Sequence, residues 1–110
     1  MKRRVGLRAR TDFRVTQKNG ALRSDCRGVE VSSTGMVVDR GRLVGQGDSP
    51  MLLKLELELP ERHKRLEVMA RPVWSYGTQQ GLKFVRLSDV DRLNLAEHLD
   101  IAFRRGVGLA

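Results

Sequence analysis

Leu53-Lys54-Leu55-Glu56-Leu57-Glu58-Leu59 alternates apolar and charged side chains without a fault. On an extended strand successive side chains point to opposite faces, so this run presents one oily face and one charged face. A helix would scatter the same four leucines around its axis. Such a strand needs partners along its edges and a core under one face. The chain is therefore committed to an antiparallel sheet that is wet on one side. Pro60 ends the strand, and Glu61 to Arg65 make a charged turn.

The rest of the sequence supplies the partners. Residues 11–17 alternate and run into Lys18-Asn19-Gly20, where Asn-Gly is a strong hairpin signal. A second strand runs from about Leu22 to Val31, Ser32-Ser33-Thr34-Gly35 breaks it, and Met36-Val37-Val38 forms a short strand. Gly41, Gly45, Gly47 and Pro50 mark a loop. Leu66, Val68, Ala70 and Trp74 share one face of a further strand. Pro72 cannot donate to a ladder, so that part is an edge or a bulge. After a turn at Gly77 to Gly81, Leu82 to Arg86 is the last strand. Ser88 looks like a helix cap ahead of Asp89 and Asp91. Leu95, Leu99, Ala102 and Phe103 form one apolar stripe. Gly106 suits the left-handed position after the helix. Six or so short strands followed by one helix suggest a barrel or sandwich, with the helix covering an open end or edge.

Length and charge narrow the function. At 110 residues the chain fits one domain. A single cysteine, Cys26, excludes an internal disulfide and points to a reduced, cytoplasmic setting. No apolar run is long enough to span a membrane, and no apolar stretch follows Met1-Lys2-Arg3-Arg4, so these residues do not read as a signal peptide. The net charge of +8 is uneven: residues 1–27 hold nine basic and two acidic groups, whereas residues 28–110 hold twelve and eleven. So local a field favours an anionic partner near the N-terminus.

Catalytic patterns are missing. His63 and His98 read as surface histidines without a second ligand at metal spacing. Ser32 and Ser33 lack a nucleophile elbow. Gly41, Gly45 and Gly47 do not match a phosphate loop, and Met36 and Met69 read as core. The expectation is no enzyme, no metal and no resident cofactor. With 5% aromatic residues, stacking platforms for single-stranded nucleic acid are scarce, so nucleic acid is disfavoured despite a pI near 10.8.

What remains is an arginine arm and a Ser-Gly turn, and here the sequence resembles a known family. Arg4-Val5-Gly6-Leu7-Arg8 has the Arg-x-x-x-Arg form of PilZ domains. Glu30-Val31-Ser32-Ser33-Thr34-Gly35 resembles their (Asp/Asn)-x-Ser-x-x-Gly motif, with Glu in place of Asp or Asn. The alternating strand to Pro60, the late hairpin around Trp74 and Gly81-Leu82-Lys83-Phe84, and the closing helix are similar too. The resemblance implies a six- or seven-stranded antiparallel PilZ-type β-barrel with a C-terminal helix. It also implies a receptor for cyclic di-GMP that relays the messenger to an unidentified downstream protein in motility, pili, exopolysaccharide or gene expression. Residues 1–10 are expected as a flexible arm, residues 11–110 as a single barrel domain, and the helix from about 88 to 105. A nucleotide-free adaptor of the same fold is the alternative.

By that resemblance Arg3, Arg4, Arg8, Glu30, Ser32, Gly35 and Trp74 are the expected ligand-binding residues. Arg10 and Arg14 also read Arg-x-x-x-Arg, but Arg14 falls within the expected first strand, so Arg4 and Arg8 are preferred. Guanidinium groups fork onto guanine O6 and N7 or onto phosphate. A carboxylate at Glu30 suits the guanine N1–H and N2–H₂ donors, and Ser32 adds a hydrogen bond. Gly35 provides either a positive φ or a close backbone approach. Trp74 either flanks a base or is buried in the core.

Overall fold

The computed structural model describes residues 8–43, 52–60, 64–104 and 108–109. Eight strands and one helix follow in chain order: β1 (Arg8–Arg10), β2 (Arg14–Asn19), β3 (Leu22–Val31), β4 (Gly35–Asp39), β5 (Leu53–Leu57), β6 (Leu66–Tyr76), β7 (Gln79–Leu87), α1 (Asp89–Arg104) and β8 (Gly108–Leu109). Six of the strands close on themselves in the order β2-β5-β6-β7-β4-β3, because β3 also pairs with β2. β1 and the two-residue β8 continue outward from β3. The expected antiparallel barrel with one C-terminal helix is the architecture found. Closure pairs both edges of every barrel strand, which removes the aggregation hazard of a long exposed edge.

The alternating run is β5 and its extension. Leu53, Leu55, Leu57 and Leu59 are all buried, and they join Val15, Val31, Val38, Leu66, Val68 and Leu82 in one core. Met36 belongs to that core, while Met69, expected there, is only half-buried on the outer face of β6. The β2–β3 hairpin turns at Gly20, with φ of 64°, and pairs Asn19 with Leu22. The left-handed residue is thus the first of two central positions, the type II′ arrangement.

β2 begins at Arg14, three residues later than expected, because the chain is irregular over residues 11–13. Thr11 N–H donates to Val29 O and Gly28 N–H to Phe13 O, both at 2.9 Å, so this joint stays tied to β3. The boundary of the arm also needs correction. Residues 8–10, assigned to a flexible arm, form β1: Ala9 pairs with Val31 and is fully buried, which anchors the segment in the core. Arg3, Arg4 and the rest of the expected arm lie outside the described residues, as do His63 and the helix end at Arg105.

The Ser88 cap is present. Its Oγ accepts from Asp91 N–H at 3.1 Å, and its carbonyl accepts from Arg92 N–H at 2.8 Å. Leu95, Leu99 and Ala102 are buried against the barrel, with Phe103 packed alongside. His98, read as a surface residue, is buried too. It follows Leu95 by three positions, so it lies on the apolar stripe, and its ring meets Phe13 edge-on at 5.5 Å between centroids.

One carboxylate on the barrel wall is unusual. Glu56 points away from the leucine face yet is shielded, covered by the long cationic side chains around it and not by the core. It meets Lys18 at 2.5 Å, Arg65 at 3.3 Å and Arg23 at 4.0 Å. The hydrogen bond from Lys18 is the main influence holding its carboxyl below the ordinary 4.5, against the opposing effect of burial. A depressed folded pKa contributes stability above the unfolded value and loses it as pH falls through the folded value. Glu56→Gln is therefore expected to lower stability by about 1 kcal/mol at neutral pH. Urea unfolding across pH checks this: wild type and variant should converge as pH drops below 4.5. A gap that persists undiminished in acid contradicts the assignment.

Candidate ligand-binding cleft

The second half of β3 builds the site. β3 is ten residues long, and only residues 22–27 are needed to pair with β2. Residues beyond this run past the end of β2 and pair with β1 on that edge, while the other edge pairs with β4. The register sets Arg10 opposite Glu30, and Ala9, between Arg8 and Arg10, turns inward. Arg8 and Arg10 accordingly share the outer face with Glu30. Arg8 Nη1 reaches Glu30 Oε1 at 3.2 Å. This is the diagonal cross-strand neighbour relation within reach of long side chains.

Beyond Val31 the chain reverses tightly. Ser32 N–H donates to Gly35 O at 2.8 Å. The buried Ser32 Oγ accepts from Thr34 N–H and Gly35 N–H, each at 3.2 Å, and lies 3.3 Å from both Gly35 O and Thr34 Oγ1. Its hydroxyl is thus taken up inside the turn, as serine does when it mimics a backbone carbonyl. Ser32 also lines the cleft, and in the absence of ligand its hydroxyl serves to hold the turn.

Gly35 resolves in favour of close approach. It does not have a positive φ. It pairs with Lys83 of β7, and a Cβ there would collide with the carbonyl of Leu82. Phe84 N–H donates to Thr34 O at 2.8 Å, which locks the turn onto β7.

Trp74 is not a core residue. A register shift between Pro72 and Trp74 breaks the alternation that holds Leu66, Val68 and Ala70 inward, and Trp74 emerges 46% exposed. Its indole lies on Gly81, its cross-strand partner, so closely that any Cβ at position 81 would overlap the ring. The indole is thus seated on the backbone of β7 while nearly half of the residue stays exposed to solvent.

Arg8, Glu30, Ser32, Gly35 and Trp74 all line one cleft of about 150 Å³, with Val37, Val73 and Leu82 among its apolar walls. The structure thus brings together five of the seven expected site residues; Arg3 and Arg4 lie outside the described residues. Arg14, the rejected alternative, pairs with Arg27 on the barrel wall and does not line the cleft. The sequence reading did not single out Val37, Val73 or Gly81 as site residues. Gly81 carried the one available signal, a glycine directly across from an aromatic residue in a late hairpin. The cleft is about half the size of the smallest drug-sized pockets, roughly 300 Å³.

Comparison with known proteins rests on structure. No protein-family model matches the sequence, and no curated protein does either. The PilZ domain of CeSA from a cellulose-synthesizing bacterium superimposes with a TM-score of 0.62 at 13% identity, covering 90% of this chain and 97% of that one. The fold is that of a PilZ domain. The Bacillus subtilis inhibitor of motility MotI/DgrA superimposes with a TM-score of 0.73 at 19% identity over 96% of this chain. The present chain spans 52% of its length. An uncharacterized Legionella protein matches with a TM-score of 0.51 at 19% identity, covering 90% of this chain and 94% of that one. In this PilZ fold, among the described residues, no helix is long and apolar enough to cross a membrane.

Gly81→Ala tests the seat of the indole directly. The added methyl should lift Trp74, the protein's only tryptophan, off β7. Fluorescence emission should move to longer wavelength and acrylamide quenching should rise, with the barrel still folded by circular dichroism. Unchanged emission contradicts the stacked arrangement.

Proposed function

We propose that this PilZ-type domain is a receptor for cyclic di-GMP and not an enzyme. The observation that carries the reading is the convergence of a guanidinium (Arg8), a carboxylate (Glu30) and a part-exposed indole (Trp74) on one cleft. Guanine offers each of these a complement: acceptors at O6 and N7 for arginine, donors at N1 and N2 for carboxylate, and a π-face for tryptophan. One base is assigned to the cleft, and the remaining base and the two phosphates to the arm, with Arg3 and Arg4 gripping other faces of the ligand. Ser32 and Gly35 hold the turn that positions Glu30.

Binding costs an ion pair. Arg8 and Glu30 neutralise each other in the free protein, and the ligand has to offer both groups something better. Ordering the arm over the bound ligand then presents a new surface to a downstream protein. MotI/DgrA inhibits motility and the CeSA domain comes from a cellulose-synthesizing bacterium, so control of motility or of exopolysaccharide are the outputs these neighbours suggest.

The same ion pair favours a second reading. Glu30 is one methylene longer than the Asp or Asn of the family motif, and it already has a partner. A domain that has lost nucleotide binding and serves as a protein-interaction adaptor would look like this.

Calorimetry with cyclic di-GMP, GTP and a short DNA separates the readings: heat with cyclic di-GMP alone supports the receptor. Arg8→Ala should then cost about 1.5–3 kcal/mol of affinity, the usual worth of a charge-assisted contact, whereas Arg14→Ala should change it little. Glu30→Asp should tighten binding or leave it within about tenfold. Wild-type protein that fails to bind at high micromolar ligand, while Glu30→Asp binds, would establish the adaptor reading.

A further inference from the structure

The end of the barrel opposite the helix has a composition that ligand binding in the cleft does not explain. Three connections and the entry to β5 meet there: the turn after Asn19, the turn after Tyr76, the chain following Asp39, and Leu52 ahead of β5. Arg40 ties them together. Its N–H donates to Thr78 O at 2.9 Å, and its guanidinium donates to Ser24 Oγ at 3.4 Å. Just inside, Gln17 Nε2 donates to Gln80 Oε1 at 3.0 Å across the barrel, a buried polar pair between strands that are not neighbours. That pair closes the barrel with polar groups, so apolar side chains at the rim have no core to enter.

Each of the four segments nevertheless presents a large apolar side chain to solvent. Leu22 is 71% exposed, Tyr76 85%, Leu43 79% and Leu52 49%. Single exposed apolar residues are ordinary, but several gathered at one end of a small domain mark an interaction surface. They are interleaved with cations: Arg23 follows Leu22, Arg42 precedes Leu43, and Lys54 is two residues beyond Leu52. Among the described residues the acidic groups at this end are engaged in hydrogen bonds. Asp25 accepts from Thr16 at 3.4 Å, and Asp39 accepts from Gly41 N–H at 2.8 Å. Lys18 and Lys54 hold Glu56 and Glu67 on the barrel wall. Arg40 and Arg42 have no carboxylate within ion-pair distance among the described residues, so the described part of the rim is net positive.

We propose that this rim is a docking surface for anionic lipid bilayers. Charge complementarity selects the occupant. Basic groups next to an anionic surface gain from its potential, while short apolar side chains and a tyrosine suit the headgroup boundary. The apolar groups stand on four separate turns with cations between them, the arrangement a broad flat surface can satisfy all at once. Nucleic acid would draw on the same cations, but Tyr76 is the one aromatic side chain among these four, too few for a run of stacked bases. On β3 the cleft residues Glu30 to Ser32 lie at the opposite end of the strand from Leu22, whereas on β6 Trp74 stands two residues from Tyr76.

Co-sedimentation of the full chain with vesicles tests the proposal. Phosphatidylcholine vesicles containing phosphatidylglycerol should carry the protein down, and pure phosphatidylcholine vesicles should not. The double variant L22S/Y76S should lower partitioning on the anionic vesicles about tenfold, and R42Q should weaken it further, as should added salt. L93S, which removes an equally exposed leucine from the helix, should leave partitioning unchanged. No sedimentation of wild type with anionic vesicles overturns the proposal. So does partitioning that L22S/Y76S leaves intact, or partitioning that L93S abolishes.

Discussion

The structure depends on the double pairing of β3. Its first six residues close the barrel against β2, and its last residues leave that partner to take β1 and β4. A register shift between Gly28 and Glu30 marks the transition. Were β3 to stop where its pairing with β2 ends, Arg8 would have no strand to hold it and the barrel would not close against β4. Ala9, buried opposite Val31, is the peg that fixes the register. A slip of one residue would turn Ala9 outward and Arg8 into the core, which burial of an unpaired charge forbids.

From that pairing follows a site whose parts have different tasks. Arg8, Glu30 and Trp74 line the cleft. Ser32 and Gly35 spend their capacity on the barrel itself, the one on the amides of its turn and the other on contact with Leu82. The Ser-x-x-Gly motif is therefore a device for holding a strand end still. Arg8 and Glu30 satisfy each other at 3.2 Å without ligand. Under the proposed receptor function a cyclic dinucleotide would replace that bond, and exposed ion pairs are weak enough to be replaced.

Much of this was legible in the sequence, and the failures have physical causes. The Leu53–Leu59 alternation, the Ser88 cap and the 95/99/102 stripe depend on local periodicity, and all three held. Trp74 was left open because strict alternation along β6 points it inward. The shift after Pro72, visible only when β7 is paired, turns it out. His98 was misplaced because its type suggests the surface, although its position on the helix puts it beside Leu95 and Leu99. The arm boundary was drawn too late: three residues are too few for alternation to show, and β1 exists only because β3 is long enough to receive it.

The central claim is that a guanine base docks between Arg8, Glu30 and Trp74. A titration of the isotope-labelled protein with cyclic di-GMP, followed by amide and indole NMR, tests it most directly. The single indole N–H of Trp74 should shift strongly, together with the amides of Arg8 and of Glu30 through Val37. Those of Leu22 and Arg23, at the opposite end of β3 from Glu30, should stay in place. A spectrum unchanged at high micromolar ligand, or shifts confined to that end of β3, would contradict the account.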